Sequence, residues 1–150
     1  MTAAGVIIRP LRGDDRAHWE PLWQGYLTFY KTTLPTNITD MTWQRLLDVA
    51  EPVNGLVAER DGDLIGLAHY LFHRSTWSQT HYCYLEDLFV AEDRRAGGVG
   101  AALIEAVEAE ARRVNATRLY WLTHETNSRA QILYNKVADR SGFIQYRKVL

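Results

Sequence analysis

The chain has 150 residues, of which 47% are hydrophobic and 23% charged, a composition typical of a single globular domain over residues 1–150. Its 17 basic and 18 acidic side chains leave a formal net charge of -1, which provides no large positive field for nucleic acid or an anionic membrane. One cysteine excludes an internal disulfide and no apolar run approaches the ~20 residues of a membrane span, so we expect a cytoplasmic protein without nucleic-acid or membrane partners.

The first third of the chain predicts one strand followed by two helices. Pro10 restricts the strand to an edge or a bend, and aromatic side chains then recur at helical spacing. The predicted elements are a strand at 6–11, a helix from Asp14 or Asp15 to about Tyr30, a polar turn region at 32–40, and a short helix at 43–50.

The remainder of the chain changes to strand patterning and then alternates. Asp61-Gly62-Asp63 is typical of a hairpin turn between two β-rich runs. The predicted elements are strands at 55–60, 64–72 and 81–90, a helix after the glycines at 97, 98 and 100, a strand at 117–123, a helix from 127 to about 140, and a final strand at 143–149. The order β-α-α-β-β-β-α-β-α-β predicts an α/β fold with a mixed sheet.

A glycine-rich turn opens the third predicted helix. In residues 90–103 (VAEDRRAGGVGAAL), Arg95-x-x-Gly98-x-Gly100 stands where backbone N–H groups lack helical partners and where the helix dipole is positive. Glycine lets a phosphate approach such groups closely. A Walker loop would end in Gly-Lys-Ser/Thr, and a Rossmann fingerprint would have a glycine in place of Leu103. The pattern indicates a pyrophosphate site, with a plain glycine turn as the alternative.

Two adjacent carboxylates lie in the apolar strand YLEDLFV. Glu86 and Asp87 are costly to bury, and strand periodicity sends them to opposite faces unless a bulge intervenes. One is expected to enter a cleft as a proton acceptor or as an anion that binds an amine. The alternative for either is a salt bridge to an arginine.

A tyrosine lies at helical spacing in the segment NSRAQILY. Asn127, Ala130 and Tyr134 share one face of the predicted helix. A phenol on a helix beside a cleft can donate a proton to a leaving group, whereas an isolated tyrosine more often packs between a helix and a sheet.

Together LEDLFV, RRAGGVG and NSRAQILY, with Gly142-Phe143 beyond them, resemble the GNAT superfamily of acyl-CoA-dependent N-acetyltransferases. The resemblance spans about residues 56–150 and implies a GNAT-like fold. YLEDLFV is similar to the corresponding strand of the spermidine/spermine N-acetyltransferases. YWLTHETN at 120–127 and GFIQYR at 142–147 resemble the small yeast-type histone and polyamine acetyltransferase subgroup.

The resemblance implies acetyl-CoA as cosubstrate and CoA as product. The implied cofactor-binding residues are Leu88, Phe89 and Val90 for the pantetheine arm, Arg95, Ala96, Gly97, Gly98, Val99, Gly100 and Ala101 for the pyrophosphate, Asn127 for the end of the pantetheine, and Tyr134 near the thioester sulfur. Two departures from the family pattern are Ala96, where a glycine usually follows the arginine, and a longer spacing between Tyr134 and Gly142.

The implied reaction is direct transfer of an acetyl group to a primary amine in a ternary complex. Glu86 is the leading candidate for the base, Asp87 is the substrate anchor or alternate base, and Tyr134 is the acid. Tyr30, at the end of the aromatic helix, is a candidate substrate-binding residue, although an aromatic stripe on a helix is more often core.

The acceptor is expected to be a small-molecule amine, a polyamine or an amino acid, or else a protein lysine. A homodimer paired through the final strand or an exposed helix is implied by family likeness. The alternative function is a non-catalytic domain that senses acyl-CoA. No metal site is expected, since His69 and His73 lie ~13 Å apart along one strand, and Cys83 is expected to be a structural thiol.

Overall fold

Five strands form one mixed sheet in the order β1-β2-β3-β4-β5 in the computed structural model, which describes residues 4–95 and 97–150. β1 to β4 pair antiparallel, and β4 pairs parallel with β5. The strands are β1 (Ile7–Pro10), β2 (Val53–Arg60), β3 (Asp63–His73), β4 (Tyr82–Val90) and β5 (Arg118–Tyr120). Asp61 and Gly62 both have positive φ angles, 53° and 84°, which confirms the tight hairpin turn predicted between β2 and β3.

Four α-helices cover the two faces of this sheet. They are α1 (Arg16–Phe29), α2 (Thr36–Leu47), α3 (Val99–Arg113) and α4 (Ser128–Val137). On one face Trp19 and Trp23 of α1 pack with Trp43 of α2 against Val57 and Leu67. On the other face the core includes Val99, Leu103 and Val107 of α3, together with Ala58 and Leu85. The mixed α/β fold predicted from the order of elements is therefore confirmed.

β4 and β5 diverge after three paired residues. The paired positions are Tyr82–Arg118, Cys83–Leu119 and Tyr84–Tyr120. The strand predicted at 117–123 is thus only three residues long. Beyond Tyr84, β4 continues to Val90 with no strand on this side among the described residues, and the divergence opens a cleft at the C-terminal half of β4.

A β-bulge at Glu86 changes which way the second half of β4 faces. Tyr70 lies opposite Leu85 and His69 lies opposite Asp87, so Glu86 is the extra residue. Leu85 packs in the core beneath α3, whereas Asp87 contacts His69 on the face covered by α1. The bulge therefore brings Asp87 to the α1 side of the sheet and leaves Glu86 exposed at the cleft.

The final strand predicted at 143–149 is not formed, so this part of the prediction is wrong. Residues 139–150 form neither helix nor strand, and no hydrogen bond found among the described residues joins their backbone to the sheet. Their apolar side chains are exposed, with Phe143 82% and Tyr146 90% accessible. The residue pattern favours a strand, but a strand also needs backbone hydrogen bonds to a neighbouring edge, and among the described residues this segment makes none.

The second helix also differs from the prediction at both ends. α2 begins at Thr36 and ends at Leu47, whereas the sequence pattern predicted 43–50. Pro35 precedes the first turn in an extended conformation, and Thr39 is buried beneath Trp23 as the acceptor of its indole N–H at 3.3 Å. That tertiary contact stabilises helix in a segment whose polar residues favour a turn. No helix formed within residues 4–95 or 97–150 is long and apolar enough to cross a membrane.

Candidate active site

The end of α1 lies over the cleft at the C-terminal half of β4. The Tyr26 hydroxyl donates to the backbone oxygen of Glu86 at 3.4 Å. The Tyr26 ring lies 5.0 Å from Tyr30 and 6.3 Å, edge-on, from Phe89. The aromatic helix therefore contributes both to the core, through Trp19 and Trp23, and to the cleft, through Tyr26 and Tyr30.

Glu86 presents an exposed carboxyl group with a perturbed pKa. Partial desolvation by the surrounding protein atoms is the first cause, and the neighbouring negative charge of Asp87 is the second. Both raise the pKa of Glu86 above its usual range. A carboxylate with a raised pKa is a stronger proton acceptor than an ordinary one, which suits a general base.

The carboxyl group of Asp87 contacts a buried histidine. Its Oδ2 lies 2.9 Å from Nδ1 of His69, and its side chain is 13% exposed. Burial first, and then the charge of Asp87, raise the pKa of both Tyr26 and Tyr30. Both phenols therefore remain protonated near neutral pH beside an anionic group, an arrangement that suits a positively charged ligand.

Tyr134 of α4 lies near the end of α1 and packs against the core beside Trp121. Its ring lies edge-on to Trp121 at 5.5 Å. Burial, and secondarily the nearby Tyr30 hydroxyl, raises the pKa of Tyr134 to about 12. A phenol with this pKa carries its proton at neutral pH and can donate it. The electrostatic effect of Tyr30 also indicates that the hydroxyl groups of Tyr30 and Tyr134 lie near each other.

The turn before α3 contains two glycines with positive φ angles. Gly97 and Gly98 have φ angles of 101° and 79°, a region that other residues rarely adopt. Gly98 is the N-cap, and its carbonyl accepts the first helical bond from Ala102 at 3.0 Å. The N–H groups of Val99, Gly100 and Ala101 therefore have no carbonyl acceptor within the helix. Ala96, also expected at this site, lies outside the described residues.

Arg95 joins the turn to β4 and α1. Its Nε donates to the backbone oxygen of Val90 at 3.1 Å. Its guanidinium lies 5.3 Å from the Phe29 ring centre and 5.6 Å from that of Phe89. The Arg95 side chain fixes the turn against the end of β4. On the other side of the turn, α4 packs close to Gly100, since a Cβ placed there would lie 3.5 Å from Leu133.

The backbone of β4 faces the cleft at alternate residues. Ala91 N–H points toward β3, where it donates to the oxygen of Ile65 at 2.8 Å. Because neighbouring residues of a strand direct their polar groups to opposite sides, Leu88 and Val90 direct theirs away from β3. Phe89 directs its backbone toward Leu67 of β3 and contributes its ring to the cleft. A ligand with amide groups could bond to the N–H groups of Leu88 and Val90 and to the oxygen of Leu88, whereas the oxygen of Val90 already accepts from Arg95.

Asn127 caps α4. Its Oδ1 accepts from Ala130 N–H at 3.4 Å, which leaves the amide nitrogen as a donor. Among the described residues, no hydrogen bond links Asn127 to Glu86 or Tyr134.

Cys83 is buried, and burial raises the pKa of its thiol to about 12, so a thiolate nucleophile is disfavoured. No cluster of three or more His, Cys, Asp or Glu within 4–95 and 97–150 is arranged to hold a metal ion.

His69 is the residue that sequence reasoning missed. Its spacing from His73 in the sequence bears only on metal binding, but in the structure it lies beneath Asp87 and accepts a hydrogen bond from Trp19. Its place opposite Asp87 follows from the register of β3 and β4, and nothing in the local sequence indicates that register.

A family model described as the Acetyltransferase (GNAT) family matches residues 17–138. The chain is 35% identical over 145 residues to the D-amino-acid N-acetyltransferase HPA3 of Saccharomyces cerevisiae, covering 95% of this chain and 90% of that protein. It is 30% identical over 141 residues to the uncharacterized N-acetyltransferase YhfO of Bacillus subtilis, covering 93% and 94% of the two chains.

Solved structures share this fold over nearly the whole chain. The ribosomal-protein-alanine N-acetyltransferase of Brucella melitensis is 21% identical with a TM-score of 0.81, covering 97% of this chain and 99% of that one. The aminoglycoside N-acetyltransferase AAC(6')-Iy in complex with a bisubstrate analog is also 21% identical with a TM-score of 0.82, covering 97% and 99%. At these identities the likeness shows the fold.

Proposed function

The chain belongs to the Acetyltransferase (GNAT) family, whose members use acetyl-CoA, and we propose that it acetylates the primary amine of a small molecule. The observation that carries this proposal is the cleft between the diverging β4 and β5. We assign the candidate base, Glu86, and the candidate acid, Tyr134, to this cleft, because Tyr26 bonds to the backbone of Glu86 and Tyr30 lies near Tyr134. Transfer is direct, in a ternary complex, since the one cysteine is buried and disfavoured as a thiolate.

The residues at the cleft fit the parts of acetyl-CoA. The backbone of Leu88 and Val90 suits the amides of the pantetheine arm, with the ring of Phe89 beside it. The N–H groups of Val99, Gly100 and Ala101 suit the pyrophosphate, because anions bind at helix N-termini and glycines precede these groups. Arg95 and Gly97 shape the turn. Acetyl-CoA supplies an activated acetyl thioester when it is bound.

Two side chains, Glu86 and Tyr134, transfer protons in the proposed reaction, and Asp87 binds the substrate amine. An alkyl ammonium has a pKa near ~10.4 and must lose a proton before its nitrogen can attack. We assign acceptance of that proton to Glu86, directly or through water, and binding of the ammonium to Asp87. Tyr134 donates its hydroxyl proton to the thiolate that leaves. Asn127 holds the end of the pantetheine through its free amide nitrogen.

The acceptor is proposed to be a polyamine or an amino acid. Two carboxylates and the phenols of Tyr26 and Tyr30 surround the acceptor side, which supports a cationic amine. The likeness of YLEDLFV to spermidine/spermine N-acetyltransferases supports a polyamine. The name of the yeast relative supports an amino acid.

Release of free thiol from acetyl-CoA tests this function. We expect thiol release to depend on an added amine when the protein is incubated with a panel of polyamines, L- and D-amino acids, aminoglycosides and a lysine-containing peptide. Tight CoA binding without turnover of any amine would instead favour the alternative, a domain that senses acyl-CoA.

Glu86→Gln is expected to lower kcat/KM about 100-fold near pH 7, because the amide cannot accept a proton. The deficit should grow as the pH falls toward the raised pKa of Glu86, since less of the amine is then neutral, level off below that pKa, and shrink toward the pKa of the amine. In the wild type, activity should fall as pH drops through the raised pKa of Glu86. Profiles of kcat/KM against pH measure both effects.

Glu51→Gln is the matched control for this prediction. Glu51 lies between α2 and β2, away from the cleft, so its substitution should leave the pH profile unchanged. A deficit in Glu86→Gln that is equal at every pH would contradict the role of Glu86 as a base.

We also propose that the protein is a homodimer joined through residues 139–150. This C-terminal tail exposes five apolar side chains, Phe143, Ile144, Tyr146, Val149 and Leu150. Within the described chain, the outer edge of β5 pairs with no strand. A groove beside it has apolar walls that include Ile104, Leu119 and Trp121 and a charged rim of Glu108, Arg112 and Arg118. The tail of one copy can pair with the β5 edge and the groove of the other copy. Each copy has a tail, an edge and a groove, so two such contacts form in a symmetric dimer.

Sedimentation tests the homodimer. The wild type should have twice the mass of the chain, and Phe143→Asp combined with Tyr146→Asp should shift the protein to monomer. Val49→Asp, at another fully exposed apolar position, should leave the dimer intact. A monomeric wild type, or a dimer that tolerates both tail substitutions, would contradict the proposal.

A further inference from the structure

Buried hydrogen bonds connect Trp19 through His69 to Asp87. The indole Nε1 of Trp19 lies 3.1 Å from Nε2 of His69, and Nδ1 of His69 lies 2.9 Å from Oδ2 of Asp87. Trp19 is 0% exposed and His69 is 2% exposed, whereas Asp87 reaches the cleft. The connection therefore runs from the core beneath α1 to the acceptor side of the candidate site.

This geometry defines the tautomer of His69. An indole nitrogen can only donate, so Nε2 of His69 must be the unprotonated acceptor. The single ring proton is therefore on Nδ1, which donates it to Asp87. An imidazolium would direct a second N–H toward the indole N–H, two donors facing each other. His69 is thus neutral in this arrangement.

A neutral histidine orients a carboxylate without cancelling its charge. Oδ2 of Asp87 is held by Nδ1–H, and the full negative charge of the group remains available to a cation in the cleft. The bulge at Glu86 is what places Asp87 opposite His69 on this face. The bulge thereby gives the two adjacent carboxylates different surroundings: Asp87 contacts the buried His69, and Glu86 is exposed.

We propose that His69, held in its Nδ1–H tautomer by Trp19, is the positioning residue that fixes Asp87 as the carboxylate that binds the ammonium group of the acceptor. This inference rests on the proposed function, within which it assigns amine recognition to Asp87 and leaves proton acceptance to Glu86. His69 and Trp19 touch neither substrate. They act through the orientation of Asp87.

Steady-state kinetics with saturating acetyl-CoA test the proposal. Loss of a binding contact made equally in the ground and transition states raises KM and leaves kcat unchanged. His69→Leu should therefore raise the KM for the amine about tenfold or more, and Trp19→Phe about fivefold, with kcat within about twofold. His69→Asn should recover much of the affinity, because its amide N–H can replace Nδ1–H.

Two comparisons separate positioning from a loss of stability. Trp23→Phe removes another indole from the same cluster, one whose N–H donates to Thr39 rather than to His69, and should leave the KM unchanged. In an Asp87→Asn background, His69→Leu should have no further effect on KM, because its action passes through the carboxylate. Affinity for CoA should be the same in all these variants.

Nitrogen-15 NMR of the wild type tests the tautomer without any substitution. We expect a protonated Nδ1 and an unprotonated Nε2 for His69 at pH 7, and loss of this preference in Trp19→Phe. An Nε2–H tautomer or an imidazolium would overturn the proposal. So would turnover with an unchanged KM in His69→Leu, whereas a wild type that turns over no amine would overturn the proposed function itself.

Discussion

Gly98→Val is expected to abolish detectable CoA binding while the protein still folds. Gly98 has a φ of 79° and is the N-cap of α3. A β-branched residue is strained there by about 1–2 kcal/mol or more, so the turn must change its conformation. That change redirects the N–H groups of Val99, Gly100 and Ala101, which we propose bind the pyrophosphate.

Calorimetric titration with CoA measures this effect, and we expect affinity to fall at least 100-fold. Gly62→Val is the matched control, because Gly62 also has a positive φ, 84°, and nothing lies within 4 Å of a Cβ placed there. It should lower the melting temperature comparably and leave CoA affinity unchanged. Wild-type affinity in Gly98→Val would remove the pyrophosphate from this turn.

Local chemistry allowed much of the fold to be predicted. The hairpin at Asp61 and Gly62 was predictable because two residues of the required type lie between two β-rich runs. The start of α3 was predictable for a similar reason, since glycines precede an amphipathic stretch. In both cases the residues that determine the conformation are adjacent in the sequence.

Features that depend on distant partners could not be predicted. The bulge at Glu86 arises in the register of β4 against β3, and that register decides which carboxylate meets His69. The early start of α2 depends on Thr39 meeting Trp23, 16 residues away. The segment 143–149 has the pattern of a strand, but a strand forms only where the chain is brought alongside an edge, and among the described residues no strand pairs with this segment. Whether a segment forms a helix or a strand could thus be predicted from the sequence, whereas the strand register and tertiary contacts that build the candidate site could not.

Tyr134→Phe is expected to lower kcat about 10- to 100-fold and to leave CoA affinity unchanged. The pKa of about 12 keeps the hydroxyl protonated throughout the working pH range, so the wild type always has a proton to donate. Phenylalanine preserves the edge-on contact with Trp121 and removes only that proton. The effect is partial because a thiol has a pKa near ~8.5, and its thiolate can leave without assistance at a reduced rate.

Tyr70→Phe provides the matched control for this substitution. Burial also raises the pKa of Tyr70 to about 12, but Tyr70 packs in the core beneath α3, so loss of its hydroxyl should leave kcat unchanged. Rapid-quench single turnovers report the chemical step directly. If Tyr134→Phe slows that step, the hydroxyl serves as the acid; if it weakens CoA binding and leaves the step unchanged, the hydroxyl binds the thioester instead. Acid catalysis by Tyr134 requires the first result, because a proton donated to the departing sulfur affects the rate of transfer and not the affinity of the site.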